Sequence, residues 1–337
     1  MQAEKLYKKM MSSGMDVLRV QSNVLFPGIL SWIEKLKGIR TVMRFILFSV
    51  QLIKIRSVAV VQILGASHVY FFLVVVPSIL MARLMRKKII LNYRGGEAGA
   101  FLERWGFIAV PVLKKVDVIA VPSYFLKEIF EKATGRETVI LPNIIDIDIF
   151  NFRERSSLQP NIIVSRQLEA RYNVACVLKA FEIIKGKYPE AHLYIAGSGN
   201  EEDKLKTMRK EMSLRDVTFL GLLSHEELSG VYNKCDIMIN ASNIDNFPGS
   251  ILEAFASGIP VISTRAGGIP YMMEDGTTGL LVNLNDHRGI ADAAIRLLND
   301  SSLARRLSLN SREVAEKHSW EKVSKILFGL YGIEYNI

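Results

Sequence analysis

Residues 245–282 read DNFPGSILEAFASGIPVISTRAGGIPYMMEDGTTGLLV. Asn246 to Gly249 form a turn that leads into a helix, and Gly258-Ile-Pro260 then leads into a strand. Gly267-Gly268 and a further strand ending at Val282 follow. The N-terminus of that helix exposes backbone N–H groups with no intrahelical partner, a ready site for phosphate. Asp245 lies just before the turn and Glu253 lies in the helix's first turn, eight residues later. Carboxylates so placed flank an anion bound at the helix end and can accept hydrogen bonds from hydroxyls on either side of a diphosphate. Glu253 has a structural alternative, because Ser250-Ile-Leu-Glu253 fits a capping box. Asp245 alone reads as an ordinary turn residue.

Outward from this stretch the second half of the chain alternates strand and helix. Strands are expected over Asn161 to Ser165, His192 to Ala196, Val217 to Leu220, Asp236 to Asn240, Pro260 to Ser263 and Gly279 to Val282. Helices are expected over Val174 to Lys187, Glu202 to Met212 and His225 to Lys234, with three more starting at His287, Ser302 and Trp320. The first half repeats the alternation with weaker punctuation, with strands at Asp16 to Val20, Val58 to Leu64, Lys88 to Tyr93, Val116 to Val121 and Thr138 to Leu141. Strands alternating with helices imply βαβ units, right-handed crossovers and a doubly wound parallel sheet. The fold class is therefore α/β, with two Rossmann-like doubly wound domains and a ligand cleft between them at the carboxyl ends of the strands. The expected domains are 1–155, 156–315 and a C-terminal helix, 316–337, packing back on the first domain. The charged stretch from Asn151 to Pro160 reads as a surface linker.

Length and composition agree with this division. The chain has 337 residues, a net charge of +9 and an apolar content of 49%, enough for two cores and too much for disorder. Two cysteines, Cys176 and Cys235, exclude a disulfide-stapled secreted scaffold and point to a reducing cytoplasm. Residues 1–155 hold 23 Lys+Arg and 12 Asp+Glu, a net +11, whereas the remainder holds 20 and 22, a net −2. Much of the excess lies in Lys35, Lys37, Arg40, Arg44, Lys54 and Arg56, then in Arg83, Arg86, Lys87 and Lys88. Mixed with Trp32, Ile33, Phe45, Leu47 and Phe48, these residues read equally as a face for an anionic membrane surface or as a solvated helix face. No recognition-domain signature for nucleic acid is present. The apolar stretches 69–82 and 41–64 are respectively too short and too interrupted by charge to cross a bilayer, and both are expected to be buried.

The pattern D245-N-F-P-G-S-I-L-E253-A-F-A-S-G-I-P-V261, with GGIP and EDGTTGLLV after it, closely resembles the family-4 retaining glycosyltransferases, which have the GT-B fold. The resemblance implies that Asp245 contacts donor-sugar hydroxyls and Glu253 the nucleotide ribose. It assigns the backbone of Phe247, Pro248, Gly249, Ser250 and Ile251 to the distal phosphate and sugar. Asp in place of the family's usual Glu shortens the reach by one methylene. After the linker, Ile162-Ile-Val-Ser-Arg166-Gln-Leu-Glu-Ala-Arg171 resembles the strand that carries two cations holding the donor diphosphate in place of a metal ion. Arg171 stands where the family has Lys. HLYIAGSGNEEDKL, with Gly197 and Gly199, resembles the family's Gly-x-Gly turn. VTFLGLLSHEEL, with Leu220 and Gly221, resembles the strand and turn that border the base. A dinucleotide fingerprint fails at Glu202, where its third glycine would fall. Asp146-Ile-Asp148 matches a short DxD pattern and reads as linker structure, so no metal is expected.

The resemblance is looser in the first half. His68, in GASHVYFF, and Arg94, Gly95, Gly96 and Glu97, in NYRGGEAGAFLERWG, fall at strand ends and are the acceptor-side candidates. Arg94 fits a cationic clamp, while His68 also reads as an ordinary half-buried histidine. The resemblance implies transfer of a sugar from a nucleotide diphosphate sugar to a glycan, lipid-linked or small-molecule hydroxyl. It implies no cofactor, no nucleic acid and a cytoplasmic site, peripheral at the inner face of the membrane. Family members begin with a strand and a glycine-rich loop ahead of the first helix, and this chain begins on that helix. About a dozen residues are thus expected to be absent, which leaves open an inactive or truncated relative that binds nucleotide only.

Overall fold

A computed structural model describes residues 2–23, 26, 32, 36–155 and 157–333. The chain divides into one unit formed by Met1–Pro142 with Lys325–Ile337, and a second formed by Asn143–Ser324.

The first unit is built on four parallel strands, β1 (Val60–Gly65), β2 (Lys88–Tyr93), β3 (Val118–Val121) and β4 (Val139–Ile140), which lie side by side in chain order. Helix α1 (Gln2–Ser12) comes first and α2 (Lys37–Gln51) follows it. The strands are then linked by α3 (His68–Tyr70), which passes through a π-helical stretch (Phe71–Val75) into α4 (Val76–Leu84), and by α5 (Ala98–Leu113) and α6 (Tyr124–Thr134). From Ile89 to Tyr93 every residue of β2 is buried, so the strand reads as a continuous run, as a sheet covered on both faces requires. Ser123 caps α6 by accepting a hydrogen bond from the Leu126 N–H, and Gly135 ends it in the left-handed region. Near the C-terminus the Tyr331 hydroxyl meets Gln62 Oε1 at 2.5 Å and Met10 Sδ at 3.8 Å, joining the last helix to β1 and α1.

Two expectations for this unit fail. Asp16 to Val20 is not a strand, because no described strand pairs with it; alternation in sequence suggests a half-buried face, while a strand also needs a hydrogen-bonded neighbour. The 41–64 stretch is not buried throughout. Phe48, Leu52 and Ile55 pack inward against Val74, Met81 and Met85, but Val42, Ile46 and Val50 on the opposite side of α2 are 58%, 53% and 60% exposed. The 69–82 stretch does enter the core, through Phe71, Val75, Ile79 and Ala82. Among the described residues, no helix is long and apolar enough to cross a membrane.

The second unit contains six parallel strands: β5 (Asn161–Ser165), β6 (His192–Ala196), β7 (Val217–Gly221), β8 (Ile237–Asn240), β9 (Val261–Thr264) and β10 (Leu280–Val282). Their order is β10-β9-β8-β5-β6-β7, so the winding reverses between β5 and β8. Both edges of the switch are in register, Ile163 opposite Met238 and Met238 opposite Val261. Helices α7 (Val174–Lys187), α8 (Glu202–Glu211), α9 (His225–Lys234), α10 (Gly249–Ala256), α11 (His287–Asn299) and α12 (Ser301–Glu316) belong to this unit, and α13 (Trp320–Tyr331) passes from it into the first. All four residues of β8 and of β9 are buried. Ser224 and Glu227 form a reciprocal capping box that starts α9.

The stretch from Asn151 to Pro160 is not a surface linker throughout. Arg155 is 1% exposed and donates to the carbonyls of Tyr232, Cys235 and Ser257, and burial lowers its guanidinium to about 10. A charged side chain in sequence looks solvent-bound, yet five donors in a fixed fork can satisfy several carbonyls at once.

Candidate functional site

The strand reversal places two loops side by side in the second unit. One follows β5 and begins at Arg166; the other follows β8 and carries Asp245 into α10. Open α/β sheets bind ligands at the carboxyl ends of the strands where the order reverses. Arg166 Nη2 is hydrogen-bonded to Asp245 Oδ2, and the two side chains are only 11% and 12% exposed. Arg166 Nη1 also lies 3.4 Å from Ser250 Oγ. Its guanidinium sits 4.1 Å from the Tyr172 ring centroid, within cation–π range. Arg166 Nε is buried and has no protein acceptor. A buried N–H in that state is costly unless a ligand oxygen completes it.

Asp245 is fixed from several sides. Its Oδ1 accepts from the Asn246 N–H at 2.9 Å, and the Ser242 hydroxyl lies 3.4 Å from its Oδ2. Its carbonyl oxygen would lie 2.1 Å from a Cβ on Gly267, which has a φ of +49°, so only glycine lets the loop after β9 pass there. Gly197 does the same for the other loop: a Cβ would stand 1.9 Å from the Arg166 carbonyl, and its φ of +135° is foreign to other residues. Gly199 approaches Leu168 in the same turn, and the Gly197 N–H donates to the carbonyl of Gly221, next to Leu220 at the end of β7. The glycines of the sequence motifs thus serve backbone approach and hold Arg166 and Asp245 in contact.

Helix α10 starts at Gly249 with Pro248 at its N-cap and no side-chain cap. Ser250 is therefore already inside the first turn, and the capping-box alternative for Glu253 does not describe this helix end. Glu253 is 7% exposed and faces α9 instead: Tyr232 Oη lies 3.4 Å from its Oε2, and His225 Nε2 lies 3.8 Å from its Oε1. Burial, then the adjacent Glu253 charge, pushes the Tyr232 phenol well above its ordinary value. Tyr232 therefore stays protonated and donates to the carboxylate. Ile251 points its side chain into the core, so its contribution to a ligand is limited to backbone. The Phe247 ring packs 5.1 Å from that of His318, and its carbonyl accepts from Asn143 Nδ2.

Arg171 is placed less firmly. It pairs with Glu169 at 2.7 Å, is 46% exposed, and sits 5.0 Å from the same Tyr172 ring that carries Arg166. Tyr172 and Tyr232 had no motif to mark them, and His225 lies within VTFLGLLSHEEL without being singled out there; only folding brings the Tyr232 hydroxyl to Glu253. Asp146 and Asp148 fall in a turn closed by the Ile149 N–H on the Asp146 carbonyl.

In the first unit the acceptor-side candidates gather at the ends of β1 and β2. His68 Nε2 bonds Glu97 Oε2 at 2.7 Å, with a φ of +58° at His68 and its ring 5.8 Å from Phe101. Arg94 donates from Nε to Asn92 Oδ1, and desolvation lowers its guanidinium to about 10. Gly95 and Gly96 fill the tight step between Arg94 and Glu97, with Gly95 packed close to the Ser67–Tyr93 hydroxyl pair. His68 is 53% exposed on its side chain, so it is not a core histidine.

Two parallel α/β units, the second switching at an Arg–Asp pair beside a helix N-terminus, define the architecture of GT-B glycosyltransferases. Residues 147–314 belong to the family described as Glycosyl transferases group 1. The chain is 33% identical over 163 residues to a D-inositol 3-phosphate glycosyltransferase of Corynebacterium jeikeium, a match covering 46% of this chain and 39% of the relative. It is 36% identical over 136 residues to an N-acetyl-alpha-D-glucosaminyl L-malate synthase of Bacillus anthracis, covering 40% and 35%. The chain thus spans less than half the length of these curated relatives. In fold it resembles Anabaena Alr3699/HepE solved in complex with UDP and glucose, with a TM-score of 0.73 at 15% identity over 97% of this chain and 89% of the other. A sucrose-phosphate synthase from Thermosynechococcus elongatus gives 0.71 at 19% identity, covering 86% and 78%.

Proposed function

We propose that the chain moves a sugar from a nucleotide diphosphate sugar to an acceptor hydroxyl, with the anomeric configuration retained and without a metal ion, in the manner of family 4. The observation that carries this reading is the buried Arg166–Asp245 pair at the strand reversal, beside the first turn of α10. The diphosphate lies against Arg166, whose Nε supplies a donor without breaking the ion pair, and against the first-turn N–H groups of Gly249 and Ser250. Asp245 takes sugar hydroxyls and Glu253 takes the ribose. Arg171, 5.0 Å from the same Tyr172 ring centroid, adds a second cation.

The sugar C1–O bond to the diphosphate breaks as a bond from C1 to the acceptor oxygen forms on the same face. The acceptor proton passes to the departing phosphate oxygen, so no protein nucleophile is needed. Cations held in place before reaction stabilise the charge that develops there. His68, Arg94, Gly95, Gly96 and Glu97 belong to the acceptor side. The acceptor is a glycan or a lipid-linked sugar, and the protein works at the cytoplasmic side with an anionic membrane as partner.

Titration calorimetry with UDP, GDP and ADP, paired with donor-hydrolysis and transfer assays, tests the proposal. UDP is the first probe because the Anabaena neighbour was solved with UDP and with UDP-glucose. Binding with turnover is expected. Binding without turnover converts the reading to a nucleotide-binding relative, and no binding by any of the three overturns it.

A further inference from the structure

We propose that α2 and the end of α4 form the membrane-docking face of the first unit, with the outward aliphatic stripe of α2 lying in the interface of an anionic phospholipid leaflet. This deepens the membrane part of the reading above and is independent of the sugar-transfer part, so vesicle binding and donor binding can fail separately.

Helix α2 is amphipathic in an unusual sense. Its inward side is Phe48, with Leu52 and Ile55 just after it, and these fill a small core against α4. Its outward side is also apolar. Ile39, Val42, Ile46, Val50 and Ile53 are 50%, 58%, 53%, 60% and 51% exposed, at the 3–4 residue spacing of one helical stripe. A contiguous exposed aliphatic stripe marks an interaction surface. The packing partner α4 ends in the same style, with Leu80 and Leu84 47% and 79% exposed around Arg83.

Charge selects the occupant. From Lys35 to Gly96 the sequence holds eleven Lys and Arg residues and no Asp or Glu. The two basic clusters of the sequence also meet in space: Lys87 Nζ donates to the Arg56 carbonyl at 2.9 Å, bringing Arg83, Arg86 and Lys87 to the end of the segment that carries Lys54 and Arg56. Asp117, which contacts Arg83 at 3.3 Å, is the acidic group in that cluster. Arg40 and Arg44 line a slot of about 310 Å³ whose other walls include Phe45, Phe48, Tyr70 and Leu73. Cations set among aliphatic and aromatic walls match a phosphate headgroup above its acyl chain, and match neither an aqueous polyanion nor a neutral protein surface.

The test is flotation of the full chain with vesicles of phosphatidylcholine alone and of phosphatidylcholine with phosphatidylglycerol. Binding is expected to the anionic vesicles and to weaken steeply toward ~1 M salt, where the Debye length falls to about 3 Å. The double variant V42D/I46D, at two exposed positions, is expected to bind those vesicles at least about tenfold more weakly with an unchanged melting temperature. R83E/R86E is expected to weaken binding at low salt, and L222E, on an exposed loop of the second unit, to leave it unchanged. Three outcomes overturn the proposal: no flotation with anionic vesicles, equal flotation of V42D/I46D, or a dimer in light scattering that V42D/I46D splits, which would make the face a contact between copies.

Discussion

Arg166 and Asp245 meet, guanidinium on carboxylate, at the carboxyl ends of the two strands between which the order of the second sheet reverses. Each is nearly buried and each neutralises the other, so a diphosphate meets Arg166 through the Nε that the pair leaves open. The two residues are therefore expected to respond differently to substitution. Asp245→Asn releases Arg166 for phosphate, and affinity for UDP should stay within about threefold or rise, while transfer from the sugar donor falls on the order of a hundredfold. Arg166→Met removes the cation and should weaken UDP itself by about ten- to a hundredfold, the scale of one charge-assisted hydrogen bond. Calorimetry with UDP alongside a transfer assay reads both.

Glu253→Gln keeps the size of a side chain that Tyr232 and His225 surround. Donor affinity should drop about tenfold, as expected for losing a charged acceptor of a hydroxyl. The melting temperature should move little, since the Tyr232 hydroxyl still finds an oxygen. A large fall in stability with unchanged affinity would assign Glu253 to packing alone.

Gly197→Ala puts a methyl group 1.9 Å from the Arg166 carbonyl, at a φ of +135°. Backbone strain of this kind costs roughly 2 kcal/mol or more, which corresponds to a melting temperature lower by about 4–8 °C for a domain of this size. UDP affinity should fall with it, because relief of the clash moves the loop that begins at Arg166. Gly186→Ala, inside α7 with open space around the new methyl group, serves as the control and should leave UDP affinity unchanged and the melting temperature unchanged or slightly higher.

His318 is buried, and desolvation lowers its pKa from the ordinary 6.5, against the opposing hydrogen bond to the Asn143 carbonyl. The folded state therefore holds it neutral, while the unfolded chain takes up a proton below about 6.5. More protons bound to the unfolded chain means that stability rises with pH through that window. Its contribution is full above 6.5 and is lost as pH falls from there toward the folded-state value. Wild-type protein should lose more melting temperature between pH 7.5 and 5.5 than His318→Gln, as differential scanning fluorimetry would show.

Much of the second unit was legible because its central strands β8 and β9 are buried on both faces and its strands are punctuated by turns. Asn161–Ser165, His192–Ala196 and Val174–Lys187 occur where pattern alone places them. Asp245 and Glu253 stand out in the sequence because a turn, a helix start and two glycine steps surround them, and their roles there come from the family resemblance. The partner of Glu253 has no such signal: Tyr232 reaches it across 21 residues, a contact made by packing two helices rather than by any local pattern. Asp16 to Val20 and α2 mark the opposite limit. Alternation and apolarity report a preference for leaving water, and they do not say whether a neighbouring strand or a core exists to receive the residues. Arg155 inverts the lesson, since a charge in a polar run is fully enclosed by carbonyls that the sequence gives no means to place beside it.

The contact of Tyr331 with Gln62 and Met10 closes the first unit with residues made more than 260 positions after β1. The whole of the second unit is synthesised between the two halves of this contact. At ~5–20 residues per second, the N-terminal sheet must wait at least several seconds for its final piece. The unit that is begun first thus receives its closing contact last. A released variant ending at Ser324 should show a protease-resistant second unit beside a first unit that is still open to cleavage.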